Sequence, residues 1–222
     1  MNSSAVLVSG GVDSAVLLVE MAADGSKVFP LYVHAGLPWE TAELHNLRQF
    51  LKAVDSSALE PLQILAMPVT DLYGDHWSIT GQNVPDASTL DEAVFLPGRN
   101  VLLLAKAMLW CHLHEVPAVA LAVLSANPFP DATPAFFAAY ADAINQAVDG
   151  AVQVLRPFAT LKKIDVLRRG RGLPLELTFS CVQPQGLKHC GQCNKCGERR
   201  RAFHDAGMRD PTEYAGEGAC IA

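Results

Sequence analysis

Ser9-Gly10-Gly11-Val12-Asp13-Ser14 stands between the apolar runs Ala5-Val6-Leu7-Val8 and Ala15-Val16-Leu17-Leu18-Val19. The pattern reads as a buried strand, a tight glycine turn and a helix. Glycines reach backbone angles that a Cβ forbids, so consecutive N–H groups can point into one concavity at the positive end of the following helix. Such a concavity takes an anion. Ser9 and Ser14 set hydroxyls on either side of it, while Asp13, near the helix start, can cap free N–H groups or hold a magnesium ion. A Ser/Asp-capped turn with no ligand is the bland alternative. Six residues in this order at the first strand-to-helix turn are more specific and ask for a phosphate. The chain contains no Gly-Lys-Ser/Thr ending, so this is not a Walker A loop.

The same six residues resemble the pyrophosphate loop of the PP-loop ATP pyrophosphatases. That resemblance implies cleavage of ATP to AMP and pyrophosphate, with an adenylated substrate between.

The chain has 222 residues, half of them hydrophobic and 18% charged, which suits a compact fold of one domain or one domain with an appendage. Met1-Asn2-Ser3-Ser4 lacks the basic region of a signal peptide, and the longest apolar run is broken by Lys106 before it could span a bilayer. A cytoplasmic enzyme without a membrane partner is expected. The net charge of −6 hides an asymmetry: residues 1–155 carry 5 basic and 16 acidic side chains, residues 156–209 carry 12 and 4, and residues 210–222 carry 3 acidic ones. Nucleic acid is a poor match for an overall acidic chain. A triphosphate, a negatively charged small substrate and metal-bound thiolates use the late positive charge better.

Residues 28–33 and 62–69 read as further buried strands. Between them Leu44, Leu47, Phe50 and Leu51 recur at helical spacing, in a helix that Leu37-Pro38-Trp39-Glu40 opens. This order predicts a parallel sheet covered by helices on both faces, with a ligand site at the carboxyl ends of the strands. His34 falls at such an end, where it either touches adenine or ribose or caps the strand. Residues 70–94 read as a long polar loop. His76 and Trp77 there can stack on a flat ring or anchor the loop.

Phe95-Leu96-Pro97-Gly98-Arg99-Asn100 precedes a helix over residues 101–114. Arg99 is either a solvated turn residue or a guanidinium that grips phosphate or carboxylate. A fourth strand over 118–123 leads to Ser125-Ala126-Asn127-Pro128-Phe129-Pro130-Asp131, where Asp131 can read a purine-like ring or cap the helix expected to end at residue 148. After a fifth strand over 152–157, Lys163 opens another helix. A lysine there is electrostatically disfavoured unless an anion offsets it, so it is a phosphate contact or an ordinary exposed lysine.

Cys181, Cys190, Cys193 and Cys196 make the second strong signal. Without an export signal disulfides are improbable, and four thiolates at this spacing suit a closed, structural, tetrahedral Zn²⁺. Lys188, Lys195, Arg199, Arg200 and Arg201 offset its negative charge. Cys111 reads as core and Cys220 as incidental.

Together the glycine loop, the Phe95–Asn100 run, Pro130-Asp131, residues 157–163, Thr178-Phe179-Ser180-Cys181 with the cysteine run, and Asp210-Pro211-Thr212-Glu213-Tyr214 resemble the 7-cyano-7-deazaguanine synthases of QueC/ExsB type, nearly end to end. The resemblance implies an α/β fold: a Rossmann-like (HUP/PP-loop) parallel five-stranded sheet over residues 1–176, plus a small four-cysteine zinc-binding region over 177–222. It implies an ATP-dependent ligase acting on 7-carboxy-7-deazaguanine and ammonia through adenylated intermediates, with ATP, Mg²⁺ and Zn²⁺ bound. A homodimer is compatible with it.

Carried onto this chain, ATP goes to Val8, Ser9, Gly10, Gly11, Val12, Asp13, Ser14, Ala15, His34, Arg99 and Lys163. Asp13, Arg99 and Lys163 are catalytic, and Asn100, Asn127 and Asp131 meet the substrate. Phe129-Pro130-Asp131-Ala132-Thr133 stands where the family commonly has Tyr-Pro-Asp-Cys-Arg, and Val33-His34-Ala35-Gly36 where an Asp-Tyr-Gly-Gln type sequence is usual. These departures leave room for a divergent member that adenylates another carboxylate, free or on a protein. A tRNA-modifying PP-loop enzyme would show an added RNA-binding domain, and a non-catalytic binding module would lack pyrophosphate release.

Overall fold

The computed structural model describes residues 3–215; Cys220 lies outside the described residues. In chain order the elements are β1 (Ser3–Leu7), α1 (Val12–Ala22), β2 (Lys27–His34), α2 (Glu40–Val54), β3 (Gln63–Ala66), α3 (Thr70–Tyr73), α4 (Trp77–Thr80), α5 (Arg99–Leu113), β4 (Ala118–Ala120), α6 (Pro134–Val148), β5 (Gln153–Leu155), α7 (Lys163–Arg169) and α8 (Asn194–Asp205). The strands form one parallel sheet in the order β3-β2-β1-β4-β5. The expected parallel α/β architecture is therefore present.

Successive strand residues serve opposite faces. Val6, Tyr32 and Ala120 pack on one side with Val16 and Leu17 of α1, Leu47 of α2, Val166 of α7 and Phe203 of α8. Ala5, Leu31 and Val119 pack on the other with Leu104 and Met108 of α5 and Phe137 of α6. This alternation follows from the two-residue period of a strand, and burial on both faces explains why the strands read as unbroken apolar runs. Cys111 sits in the second cluster, where burial pushes its thiol up to about 12.

Several boundaries differ from expectation. β3, β4 and β5 are shorter than the apolar runs containing them. The tails of the runs after β3 and β4 leave the ladder to line the crevice above the sheet, through Met67 and Val69 and through Leu121 and Val123. Pro38 lies ahead of α2 instead of in its first turn. Residues 70–94 are not featureless: they hold α3, α4 and a 3₁₀ turn at Asp91–Val94. His76 caps α4 by accepting the Ser78 N–H at 3.3 Å, and Trp77 stacks on Trp39 with ring centroids 5.9 Å apart. Both side chains thus anchor this segment.

The late residues pack in two places. Phe203 and Ala202 enter the first cluster, and the four cysteines join Leu37, Trp39, Leu96 and Phe179 in a third. The start of α8 is stitched to residues 85–90: Asn194 donates its side-chain amide to the Thr89 and Leu90 carbonyls at 2.9 and 3.2 Å, and its N–H to Pro85 O at 2.8 Å. Gly197 is needed for this approach. A Cβ there would lie 2.8 Å from Ala87 Cβ and 3.0 Å from Ala87 O. In an open helix Gly→Ala stabilises by about 1 kcal/mol. Here overpacking reverses the sign, and Gly197→Ala is expected to destabilise by about 1–3 kcal/mol in denaturant unfolding; an unchanged or raised midpoint would refute the contact.

Candidate active site

Strand order reverses between β1 and β4, because one connection leads outward to β2 and the other to the opposite edge. Ligands of open parallel sheets collect at the carboxyl ends beside such a reversal. Two joined clefts lie there. The inner one, about 240 Å³, runs between Val8, Val33, Val69, Leu96 and Val123, an apolar slot that suits a flat ring. The outer one, about 590 Å³, is lined by Lys162, Lys163, Lys195, Glu198 and Arg201 among others. Ser9, Gly11, Asp13, Arg99 and Asn127 line both.

The loop between β1 and α1 closes the head of the clefts. Gly10 has φ +75°, a left-handed conformation, and its carbonyl accepts the Phe179 N–H at 2.7 Å. Ser14 Oγ accepts the Ser9 N–H at 3.2 Å and donates to Gly11 O at 3.1 Å, so this hydroxyl braces the turn from inside. α1 begins at Gly11 without a side-chain cap. A helix start without a side-chain cap can take an anion on its first-turn N–H groups.

Asp13 does not cap α1. Its Oδ2 accepts from Lys163 Nζ at 2.6 Å, while its Oδ1 is buried without a partner. Lys163 Nζ also lies 3.5 Å from Glu198 Oε1, whose other oxygen takes Lys195 Nζ at 2.5 Å. The anions that offset Lys163 at its helix start are these two carboxylates. Burial alone would lower its pKa, and Asp13 and Glu198 more than reverse that, holding it above the usual lysine range. Burial likewise works against ionising Glu198, yet Lys163 and Lys195 hold its carboxyl down at about 2.

Across the clefts, Arg99 and Asn100 form the first turn of α5. Asp131 caps that helix, not α6: its Oδ2 accepts the Asn100 N–H at 3.0 Å, and its carbonyl accepts the Asn100 side-chain amide at 3.0 Å. α6 is capped by Thr133 Oγ1, which accepts the Phe136 N–H at 3.2 Å. Asn127 lines both clefts and accepts the Phe129 N–H at 3.0 Å. Val8 and Val12 line one cleft each, whereas Ala15 is core and Gly10 lies behind the loop. His34, 3.5 Å from Glu40 Oε2, is half exposed and lines neither.

Of four further functional-looking side chains, the sequence offered Arg199 only as an offset to the thiolates and gave the other three no role. Glu40 is buried and accepts the N–H groups of Ala35, Gly36 and Leu37 at 2.7, 2.8 and 3.1 Å, which fixes the turn after β2. Glu43, one helical turn on, lines both clefts and accepts the Tyr32 hydroxyl at 2.5 Å. Burial pushes its carboxyl up to about 8 against the opposing pull of the Tyr32 hydrogen bond and Arg99. Arg199, buried, donates to Thr178 Oγ1, Leu175 O and Thr212 Oγ1 at 2.9, 2.8 and 2.5 Å, so it ties three segments together and does not face the thiols. Glu198 is the fourth. The partners of Glu40 lie within five residues of it, whereas Tyr32 is eleven residues from Glu43.

The four cysteines converge. Their Sγ atoms lie within 4.8 Å of one another, with Cys181–Cys193 at 3.8 Å and Cys190–Cys196 at 3.9 Å. A tetrahedron of sulfurs about 2.3 Å from one ion has edges of about 3.8 Å. Backbone N–H groups of Gln183 and Gln192 approach Cys181 and Cys190 sulfurs at 3.3 Å. The arrangement is that of a buried, closed metal site.

Residues 3–207 match a family described as "Queuosine biosynthesis protein QueC". A 7-cyano-7-deazaguanine synthase of Allorhizobium ampelinum is 34% identical, over 94% of this chain and 91% of its own length. One of Methanoculleus marisnigri is 30% identical, over 96% of this chain and 99% of its own. Among solved structures, a 4-thiouridine synthetase–RNA complex with bound ATP covers 93% of this chain and 50% of that one at 14% identity and TM-score 0.53, a likeness of fold.

Glu43 carries a pH signature. Its carboxyl titrates near 8 when folded against an ordinary 4.5, so the folded state holds the extra proton between those values. Stability from this group is complete below about pH 4.5 and is lost as pH rises to about 8, at up to about 1.4 kcal/mol per pH unit. The melting temperature of Glu43→Gln should therefore gain on the unsubstituted protein between pH 5 and 8. Parallel profiles would remove the assignment.

Proposed function

The chain belongs to the QueC family, and from that premise we propose that it is an ATP-dependent carbon–nitrogen ligase, converting 7-carboxy-7-deazaguanine and ammonia to 7-cyano-7-deazaguanine with release of AMP and pyrophosphate. The observation that carries this is the uncapped start of α1 behind the Gly10–Gly11 turn, at the head of a cleft that Asp13, Arg99 and Lys163 line. The inner apolar slot takes the adenine ring. The first-turn N–H groups take the outer phosphates.

The substrate carboxylate attacks the α-phosphorus in line, and the bond to pyrophosphate breaks. Negative charge then grows on the leaving oxygens, where Lys163 and Arg99 stand on opposite sides. Ammonia displaces AMP from the acyl-adenylate and leaves the amide. A second adenylation on the amide oxygen turns that oxygen into a leaving group, and loss of AMP with the two N–H protons leaves the nitrile. Asn100, Asn127 and Asp131 orient the substrate, Asp131 through its hold on Asn100.

Asp13 fits a magnesium ion, since its buried Oδ1 has no protein partner. Bound there, the ion would offset phosphate charge. The four thiols fit Zn²⁺, with no position open to substrate. The zinc-binding region over 177–222 is accordingly structural: it supplies the Phe179 brace and Glu198 to the site above residues 1–176. A closed site of four thiolates on one ion is compatible with a cytoplasmic setting. A divergent relative acting on another carboxylate is the second reading, favoured by the commitment of the Asp131 carboxylate to Asn100.

Incubation with ATP, ammonia and 7-carboxy-7-deazaguanine should give AMP, pyrophosphate and the nitrile by mass detection, and Lys163→Met should lower kcat by about 10²–10³. ADP as the nucleotide product would overturn the proposal. AMP only with other carboxylates would shift it to the second reading. Metal analysis should find one zinc per chain, whose removal by a chelator lowers the melting temperature; a stable, metal-free protein would contradict the structural role.

A further inference from the structure

Lys163 must do two things at once. It must stay charged beside the phosphates, and it must release Asp13, the carboxylate that best fits the magnesium ion. Asp13 holds the ammonium at 2.6 Å through Oδ2 and keeps Oδ1 buried and unpartnered. A cation on Oδ1 would draw on the same negative charge and weaken the hold of Asp13 on Lys163. Glu198 Oε1, 3.5 Å from the ammonium on its other side, remains.

We propose that Glu198, backed by Lys195, is a positioning residue for Lys163: it holds the ammonium at the pyrophosphate loop while Asp13 changes partners. The inference rests on the function proposed above. Three observations support it. Glu198, Lys163 and Lys195 line the outer cleft, so the group stands where the phosphates arrive. Lys195 Nζ lies 2.5 Å from Glu198 Oε2 and offsets its charge, so the carboxylate does not repel a triphosphate. Finally, Glu198 rides on α8, whose cap is Cys193 and whose first turn carries Cys196. The thiol cluster orients the helix, and the helix orients the carboxylate.

Without Glu198 the ammonium has one partner and collapses onto Asp13. Misplacement of a group that acts on the leaving phosphate costs rate more than ground-state binding. Glu198→Gln should therefore lower kcat for AMP release about 10-fold, raise the KM for ATP no more than about 3-fold and leave the zinc content unchanged. Lys195→Met, which uncovers the Glu198 charge, should instead raise the KM for ATP by about 5-fold or more.

A double-mutant cycle separates positioning from a structural role. In a Lys163→Met background Glu198→Gln should have no further effect on kcat. Multiplicative losses, or equal loss of kcat and zinc content in Glu198→Gln, would overturn the inference. If the unsubstituted protein releases no AMP and pyrophosphate at all, the underlying function fails first. If it does release them and the cycle is additive, only the role of Glu198 fails.

Discussion

The Gly10 carbonyl turned towards the Phe179 N–H is the contact on which the rest depends. The left-handed Gly10 turns the chain between β1 and α1, and glycine takes that conformation without strain. The same rotation sends the Gly10 carbonyl backwards, where it needs a donor. Phe179 supplies it from the segment leading into the thiol cluster. The turn that follows the first strand is therefore completed by a residue far along the chain.

Electrostatics beside this turn is a matter of alternating signs. Asp13, Lys163, Glu198 and Lys195 follow one another from the loop to α8 and sum to zero formal charge. An isolated lysine at the start of α7 would face the positive end of its own helix, and an isolated glutamate would be a half-buried charge without a partner. In sequence each looks unfavourable; as a chain they are compatible. The opposite wall works by a different means. Asp131 pins the first turn of α5 through Asn100 and so sets the base of Arg99 without touching it.

Much of the fold was legible from local pattern. The apolar runs around Ser9–Ser14, the helical spacing of Leu44, Leu47 and Phe50, and the spacing of Cys181, Cys190, Cys193 and Cys196 each encode a structure a few residues long, and each is present. His76 and Trp77 show the limit. As a His-Trp pair in a polar stretch they fitted a ring-binding lid as well as an anchor, and the choice lay with Trp39, far earlier in the chain, against which Trp77 stacks.

Sequence by itself determined the alternation of strands and helices, the glycine turn and the four clustered thiols, because periodicity, backbone freedom and ligand spacing act over short distances. Tertiary structure alone decided that Asp131 caps α5, that Glu43 meets Tyr32 in a buried pair, and that Glu198 reaches Lys163. Those outcomes depend on how the sheet order brings distant segments together, and burial there fixes protonation and partnership in ways that no residue carries in its own neighbourhood.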